Sequence, residues 1–140
     1  MTNSRLGSST LHQLPASIRR FGYDRSALRP GILHLGAGAF HRCHQAEWTD
    51  DALEAEFGDW GIVALNLRAP DLDGLMGPQD GLFCRELRDQ GSLDRRVVGA
   101  IIDAISVPEG EDAVRAVMQA RALAIAAAAS TRDVTMTVTE

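Results

Sequence analysis

A glycine turn between two predicted elements constrains the fold of this chain more than any other feature. Residues 31–35 form a short apolar run that predicts a buried strand, and Gly36-Ala37-Gly38 follows it directly. A segment with helical spacing then runs over residues 41–57, and residues 60–65 predict a second buried strand. Strand, glycine turn, helix and strand in this order form a βαβ unit, whose strands are parallel and whose crossover is right-handed.

The turn begins like the dinucleotide fingerprint G-x-G-x-x-G. In that fingerprint the first glycine, here Gly36, permits a tight turn, and the second, here Gly38, lets the backbone approach a pyrophosphate. The helix that follows offers unpaired N–H groups to the anion. His41 stands where the third glycine is expected, so this helix must stand off from the strand or start differently. On pattern alone, a dinucleotide site and a plain tight turn both stay open.

A dinucleotide fold also needs an acidic residue for the adenosine ribose at the end of its second strand. That place holds Asn66-Leu67-Arg68, and the nearest acid is Asp71. Asp71 would favour the free 2′-hydroxyl of NAD, whereas Arg68 would favour the 2′-phosphate of NADP. An equally open interpretation makes Asp71 the N-cap of a short helix.

The remaining elements complete an alternating α/β pattern. Strands are predicted over residues 82–87, 96–106 and 134–139, with a helix opening at Pro108 and a short helix near residues 16–21. The predicted fold class is therefore α/β, with a Rossmann-like, mostly parallel sheet. A complete doubly wound domain has about six strands, whereas this sequence offers about five. A parallel sheet also needs cover on both faces, and no helix follows the last predicted strand. We therefore expect an incomplete domain.

Charge divides the chain into two parts and limits its partners. Residues 1–50 carry six Arg against three acids, and residues 51–140 carry eight against sixteen, for a net charge of −5. We expect a flexible basic arm over residues 1–30, solvated in preference to RNA- or lipid-bound, and a partial Rossmann domain over residues 31–140. An acidic chain is a poor ligand for nucleic acid, and no apolar run approaches the roughly 20 residues of a membrane span. We therefore expect that the chain binds neither nucleic acid nor a membrane, and that it is cytoplasmic.

Four side chains of metal-binding type lie close together in the sequence: His34, His41, His44 and Glu47. The last three are spaced i, i+3, i+6, which spreads them around a helix and lacks the i, i+4 pair through which two imidazoles meet one metal. Surface or loop-packing histidines are the favoured interpretation, and no metal site is predicted. Cys43 and Cys84 stand alone, without the spacing of a redox pair, and are interpreted as free thiols.

The segment around the glycine turn carries a longer signature. Residues 32–46 resemble the N-terminal signature of the long-chain mannitol and polyol dehydrogenases, a family that includes mannitol 2-dehydrogenase and fructuronate reductase. The runs Phe40-His41-Arg42 and His44-Gln45-Ala46 are much more specific than G-x-G alone. The resemblance extends over residues 31–140 through Thr49-Asp50, Trp60-Gly61-Ile62, Leu67-Arg68 with Asp71, Gln79-Asp80-Gly81-Leu82 and Thr137-Val138-Thr139-Glu140.

This resemblance implies NAD-dependent hydride transfer between a polyol and its ketose, or between a hexuronate and its keto form. The cofactor loop of the family carries over onto eight matching positions: Leu35, Gly36, Ala37, Gly38, Ala39, Phe40, His41 and Arg42. Asp71 matches the acid near the adenosine ribose, which favours NAD over NADP. Cys43 departs from the alanine expected there and is similarly small.

The resemblance also implies a helical C-terminal domain that supplies a catalytic lysine with asparagine and histidine partners. All 14 basic residues of this chain are Arg, so no catalytic residue can be named. We expect the N-terminal NAD-binding portion of such an enzyme, inactive alone and dependent on the missing domain for its polyol or sugar-acid substrate. The alternative is a non-catalytic nucleotide-binding module, or one that self-associates through an open sheet edge.

Overall fold

The computed structural model describes residues 5–66, 72–107 and 110–137. The strands are β1 (Pro30–Leu35), β2 (Gly61–Asn66), β3 (Phe83–Asp89), β4 (Ser92–Val98), β5 (Ile101–Ser106) and β6 (Asp133–Met136). The helices are α1 (Ala39–Cys43), α2 (Gln45–Ala55), α3 (Leu72–Met76), α4 (Glu111–Val117) and α5 (Leu123–Ala126), with a π-helical turn at Met118–Ala122. Short 3₁₀ turns lie at Leu11–Gln13, Arg25–Ala27 and Gly77–Gln79. Within these ranges no helix has the length and apolarity needed to cross a bilayer.

Four strands form one parallel sheet in the order β5-β2-β1-β6. Counted along the chain among the parallel strands, this order is 3-2-1-4, which is the beginning of the 3-2-1-4-5-6 order of the doubly wound dinucleotide fold. The arrangement confirms the predicted α/β, Rossmann-like parallel sheet and the parallel β1–β2 pair.

Two apolar clusters cover the two faces of this sheet. Neighbouring residues of a strand point to opposite faces, so Ile32 of β1 packs with Leu53 of α2 in one cluster. Leu33, the next residue, packs on the opposite face, where Val117 and Met118 close the second cluster. Helices on both faces are what a parallel sheet requires, because its strands are apolar on both sides.

The predicted strand over residues 96–106 is wrong as a single element, since it is broken at Gly99 into β4 and β5. β4 pairs with β3 as an antiparallel hairpin outside the parallel sheet, whereas β5 joins β2. A Cβ on Gly99 would lie 2.6 Å from the Phe21 ring, and the Gly99 amide donates to Asp50 at 2.8 Å. Tertiary contacts at one glycine therefore redirect the chain between two sheets.

The described part of the N-terminal segment, residues 5–29, contacts the hairpin and the sheet. Arg19 pairs with β4 through two backbone hydrogen bonds of 3.0 and 2.9 Å. The Arg25 guanidinium donates to the Gly99 carbonyl at 2.8 Å. The predicted short helix near residues 16–21 is wrong, because the backbone there is used for this pairing.

Candidate functional site

The glycine turn lies at the carboxyl edge of the parallel sheet, where the strand order reverses. β1 leads directly into the turn. β2 and β5 lie on one side of β1, and β6 lies on the other side. Open α/β sheets bind ligands in the crevice at this switch point, because the loops there diverge onto opposite faces. The turn predicted from the sequence thus occupies the position that this fold uses for ligands.

Gly36 has a backbone conformation that requires glycine. Its φ is +91°, and an added Cβ would lie 2.8 Å from the carbonyl oxygen of Thr137. Its amide donates to the Leu65 carbonyl at 2.7 Å, which ties the turn to the end of β2. The tight turn inferred for the first fingerprint glycine is therefore present, with its geometric reason.

Gly38 has an ordinary backbone conformation and open space in front of it. Its φ is −75°, and an added Cβ would meet no described atom within 4 Å. Gly38 precedes α1, whose first amides, those of Ala39 and Phe40, have no intrahelical partner. Glycine here leaves the backbone accessible, and this space and these donors fit a pyrophosphate.

The other residues predicted to bind cofactor differ in exposure. Ala37 is buried in the core, Leu35 is half-buried at the end of β1, and Ala39 is exposed. Phe40 is 65% exposed, and Arg42 is half-buried in α1. Asp71, the predicted ribose ligand, and Arg68 lie outside the described residues.

His41, at the position of the third fingerprint glycine, is buried against His34 of β1. Its side chain is 1% exposed, and the two ring centroids lie 3.6 Å apart with 13° between the ring planes. α1 begins directly after Gly38 and ends after 5 residues, and the chain bends at His44 before α2 begins.

Hydroxyl groups of β6 and of the residue that follows it, Thr137, hold the other ring of the stack, His34. The Nδ1 atom of His34 lies 2.7 Å from Thr135 Oγ1, and Nε2 lies 3.2 Å from Thr137 Oγ1. The Thr135 hydroxyl donates its single proton to Gln45 Oε1 at 3.0 Å, so Nδ1 of His34 is the donor to Thr135. The sequence marks Gln45 and Thr137 only as matches to the family signature. It does not predict that they and Thr135 form one network with His34, because strand pairing joins positions far apart in the chain.

Burial favours the neutral form of both stacked histidines. Burial, then the neighbouring His34 and Arg42, lowers the pKa of His41 to about 3, and burial also lowers the pKa of His34. Neither nitrogen of His41 has a hydrogen-bond partner in the part of the chain that the structure describes. A proton on His41 would therefore be unsolvated and would lie next to another base.

Acid should therefore destabilise the chain through His41. Its pKa is 6.5 when unfolded and about 3 when folded. The contribution of neutral His41 to the free energy of unfolding is therefore fully present above pH 6.5 and is lost as the pH drops towards 3. His41 should contribute about 2–3 kcal/mol to the loss of unfolding free energy between pH 7 and pH ~4.5. Urea denaturation at both pH values, with His41→Phe as the variant that cannot titrate, measures this. An equal pH dependence in both proteins would contradict it.

A second buried cluster fixes α2 against the β3–β4 hairpin. Asp50 of α2 is 0% exposed and accepts hydrogen bonds from Tyr23 Oη at 2.6 Å and from the Gly99 amide at 2.8 Å. Arg96 of β4 is 3% exposed and donates to the same carboxylate. Burial and the Asp50 carboxylate raise the pKa of Tyr23 far above its ordinary value. The cluster holds α2, the second helix after the glycine turn, in place.

The other members of the predicted histidine group lie apart from the stack. His44 stacks on Phe40 with ring centroids 4.2 Å apart, and Glu47 accepts from Arg85 Nε at 2.9 Å. Among the described residues no group of three or more potential ligands could hold a metal ion. Both cysteines, Cys43 and Cys84, are free thiols and are exposed.

Residues 30–140 match the family model for the mannitol dehydrogenase Rossmann domain. The chain is 38% identical over 122 residues to mannitol 2-dehydrogenase of Pyrenophora tritici-repentis, covering 84% of this chain and 20% of that protein. It is 35% identical over 92 residues to D-mannonate oxidoreductase of Escherichia coli, covering 63% of this chain and 19% of that protein. The chain thus spans about a fifth of the length of these relatives.

A solved structure extends the similarity to three dimensions. It is mannitol 2-dehydrogenase of Pseudomonas fluorescens in a ternary complex with NAD and D-mannitol, with a TM-score of 0.77 and 32% identity. The superposition covers 94% of this chain and 26% of that one. Given the matching family model, strand order and glycine turn, the chain belongs to the mannitol dehydrogenase Rossmann-domain family.

Proposed function

We propose that this chain is the NAD-binding portion of an oxidoreductase that transfers a hydride between NAD and a polyol/ketose or hexuronate pair. The observation that carries the proposal is the turn itself: a positive-φ Gly36 followed by an unobstructed Gly38 at the switch point of the sheet. A family member with the same fold is described as a complex with NAD and D-mannitol, which supports the proposal.

The residues of this chain would bind and orient the dinucleotide. The amides of Ala39 and Phe40 would donate to the pyrophosphate, and the open face of Gly38 would admit it. Arg42 would add a positive charge next to the turn. When bound, NAD supplies the hydride acceptor, and we assign the proton transfer to no residue of this chain.

The preference for NAD over NADP depends on Asp71. A carboxylate there would accept hydrogen bonds from a ribose 2′-hydroxyl and repel a 2′-phosphate. Polyol and hexuronate substrates both stay in the proposal, since the relatives include a mannitol 2-dehydrogenase and a D-mannonate oxidoreductase. A cytoplasmic location also stays a prediction.

The polypeptide of 140 residues should bind NAD without turning over substrate. All 14 of its basic residues are Arg, so it lacks the lysine that the family resemblance assigns to catalysis. Purified chain mixed with NAD and mannitol, or with NADH and fructuronate, should show no change in NADH above the buffer rate. The same sample should show a saturable rise in melting temperature with NAD. Substrate-dependent NADH formation would contradict the absence of catalysis.

A self-associating module is the second candidate function. It is favoured by β6, an end strand of the described sheet, on which Val134 is 49% and Met136 is 61% exposed. A second copy could pair with this edge, because unpaired strand edges bind other strands. Light scattering separates the candidates: a dimer that forms without NAD favours the module, and an NAD-binding monomer favours the dehydrogenase portion.

A further inference from the structure

We propose that His41 and His34 are positioning residues whose stacked rings set the place of α1 and of the glycine turn. The inference rests on the proposed function, since the turn is taken to bind NAD. It adds that the position occupied by glycine in the fingerprint here requires an aromatic ring. Two contacts and the absence of a hydrogen-bond partner for His41 among the described residues carry this assignment.

The first contact is the stack across the turn. His34 lies on β1, before the turn, and His41 lies on α1, after it, with ring centroids 3.6 Å apart. Because His41 is 1% exposed, its ring fills the space between strand and helix. A glycine at this position would leave a cavity, which the surrounding structure closes only in part and at a cost in stability. The distance between β1 and α1 is therefore set by the thickness of two rings.

The second contact joins the stack to the turn through a single residue, Thr137. Its hydroxyl lies 3.2 Å from Nε2 of His34, and its amide donates to the Leu35 carbonyl at 2.9 Å. Its carbonyl oxygen occupies the place that would clash with a side chain at Gly36. A displacement of the His34 ring is thus transmitted to the residues on which the turn is built.

The third observation concerns the nitrogens of His41. Neither has a hydrogen-bond partner within the described residues, although the whole side chain is buried. The ring therefore acts through its shape and its stacking on His34. An aromatic ring of similar size without nitrogen should replace it, whereas a small residue should not.

Four variants test the inference by calorimetric titration with NAD. His41→Gly restores G-x-G-x-x-G yet should raise the dissociation constant about tenfold or more, which corresponds to about 1.4 kcal/mol. His41→Ala should behave in the same way, and His41→Phe should stay within about threefold of the parent chain. His12→Gly, which removes an exposed histidine of an N-terminal turn, is the matched control and should leave binding unchanged.

Amide hydrogen exchange of residues 36–40 without NAD supplies a second measurement that does not depend on cofactor binding. Exchange should accelerate in His41→Gly and keep the parent rate in His41→Phe. Parent-like binding and exchange in His41→Gly would overturn the inference, as would a His41→Phe variant as impaired as His41→Gly. If the parent chain fails to bind NAD but shows this exchange pattern, the positioning role stands and the proposed function fails.

Discussion

Replacing Asp50 with alanine is expected to lower the free energy of unfolding by about 3–5 kcal/mol, which is a large part of the stability of a small domain. The Asp50 carboxylate is 0% exposed and is the common acceptor for Tyr23, the Gly99 amide and Arg96. Its removal leaves the Arg96 guanidinium, 3% exposed, without its buried counter-ion. Arg96 then keeps only Asp51, whose side chain is 53% exposed, and Glu47 at 3.5 Å as ion-pair partners. Removing the buried partner of a buried ion pair costs much more than the intact pair contributes.

Asp51→Ala is the matched control for this prediction. Asp51 accepts from the same guanidinium, at 2.6 Å from Arg96 Nη1, but its side chain is 53% exposed. Water replaces an exposed partner, so its loss should cost under about 1 kcal/mol. Urea denaturation of the parent chain and the two variants measures both values. Equal losses for Asp50→Ala and Asp51→Ala would show that burial of the ion pair does not govern its contribution.

Gly38→Ala should separate binding from folding at the turn. The Gly38 φ of −75° suits any residue, and the added Cβ would meet no described atom within 4 Å. The stability should therefore change by less than about 1 kcal/mol, the usual range for a change at a helix N-cap. NAD binding should weaken by about tenfold to a hundredfold, because the new methyl group occupies the space through which a pyrophosphate reaches the backbone.

Two other glycines serve as comparisons for Gly38→Ala. Gly36→Ala should lose about 1–3 kcal/mol of stability together with NAD binding, because its φ is +91° and its Cβ would clash with Thr137. Gly77→Ala also introduces a Cβ with no described atom within 4 Å, away from the turn, and should change neither property. Thermal melting and calorimetric titration of the three variants measure the two effects. Parent-like NAD affinity in Gly38→Ala would mean that the open face is not the binding face.

The βαβ unit was predictable because its signals are local. Apolar runs over residues 31–35 and 60–65 and the glycines between them are adjacent in sequence, and the structure has β1, the turn and β2 there. The fold class followed from the same signals. The break at Gly99 was not predictable, because its causes, the Phe21 ring and the Asp50 carboxylate, are far away in the sequence.

The site was predictable in its backbone and not in its side chains. The requirement for glycine at position 36 comes from the turn that the fingerprint describes, and the structure gives it a positive φ. The His34–His41 stack joins β1 to α1, and the pairing of β1 with β6 brings Thr135 and Thr137 to the His34 imidazole. The sequence pattern indicates only that a third glycine is replaced. The role of His41 at that position could not be inferred from the sequence, because it depends on where β6 lies beside His34.

Calorimetric titration of the folded chain with NAD tests the central claim, that the glycine turn at the switch point is a dinucleotide site. We expect saturable binding with a stoichiometry of about one per chain, weakened in Gly38→Ala and preserved in Gly77→Ala. An absence of binding by a chain that melts cooperatively, or equal binding by the parent chain and Gly38→Ala, would contradict it.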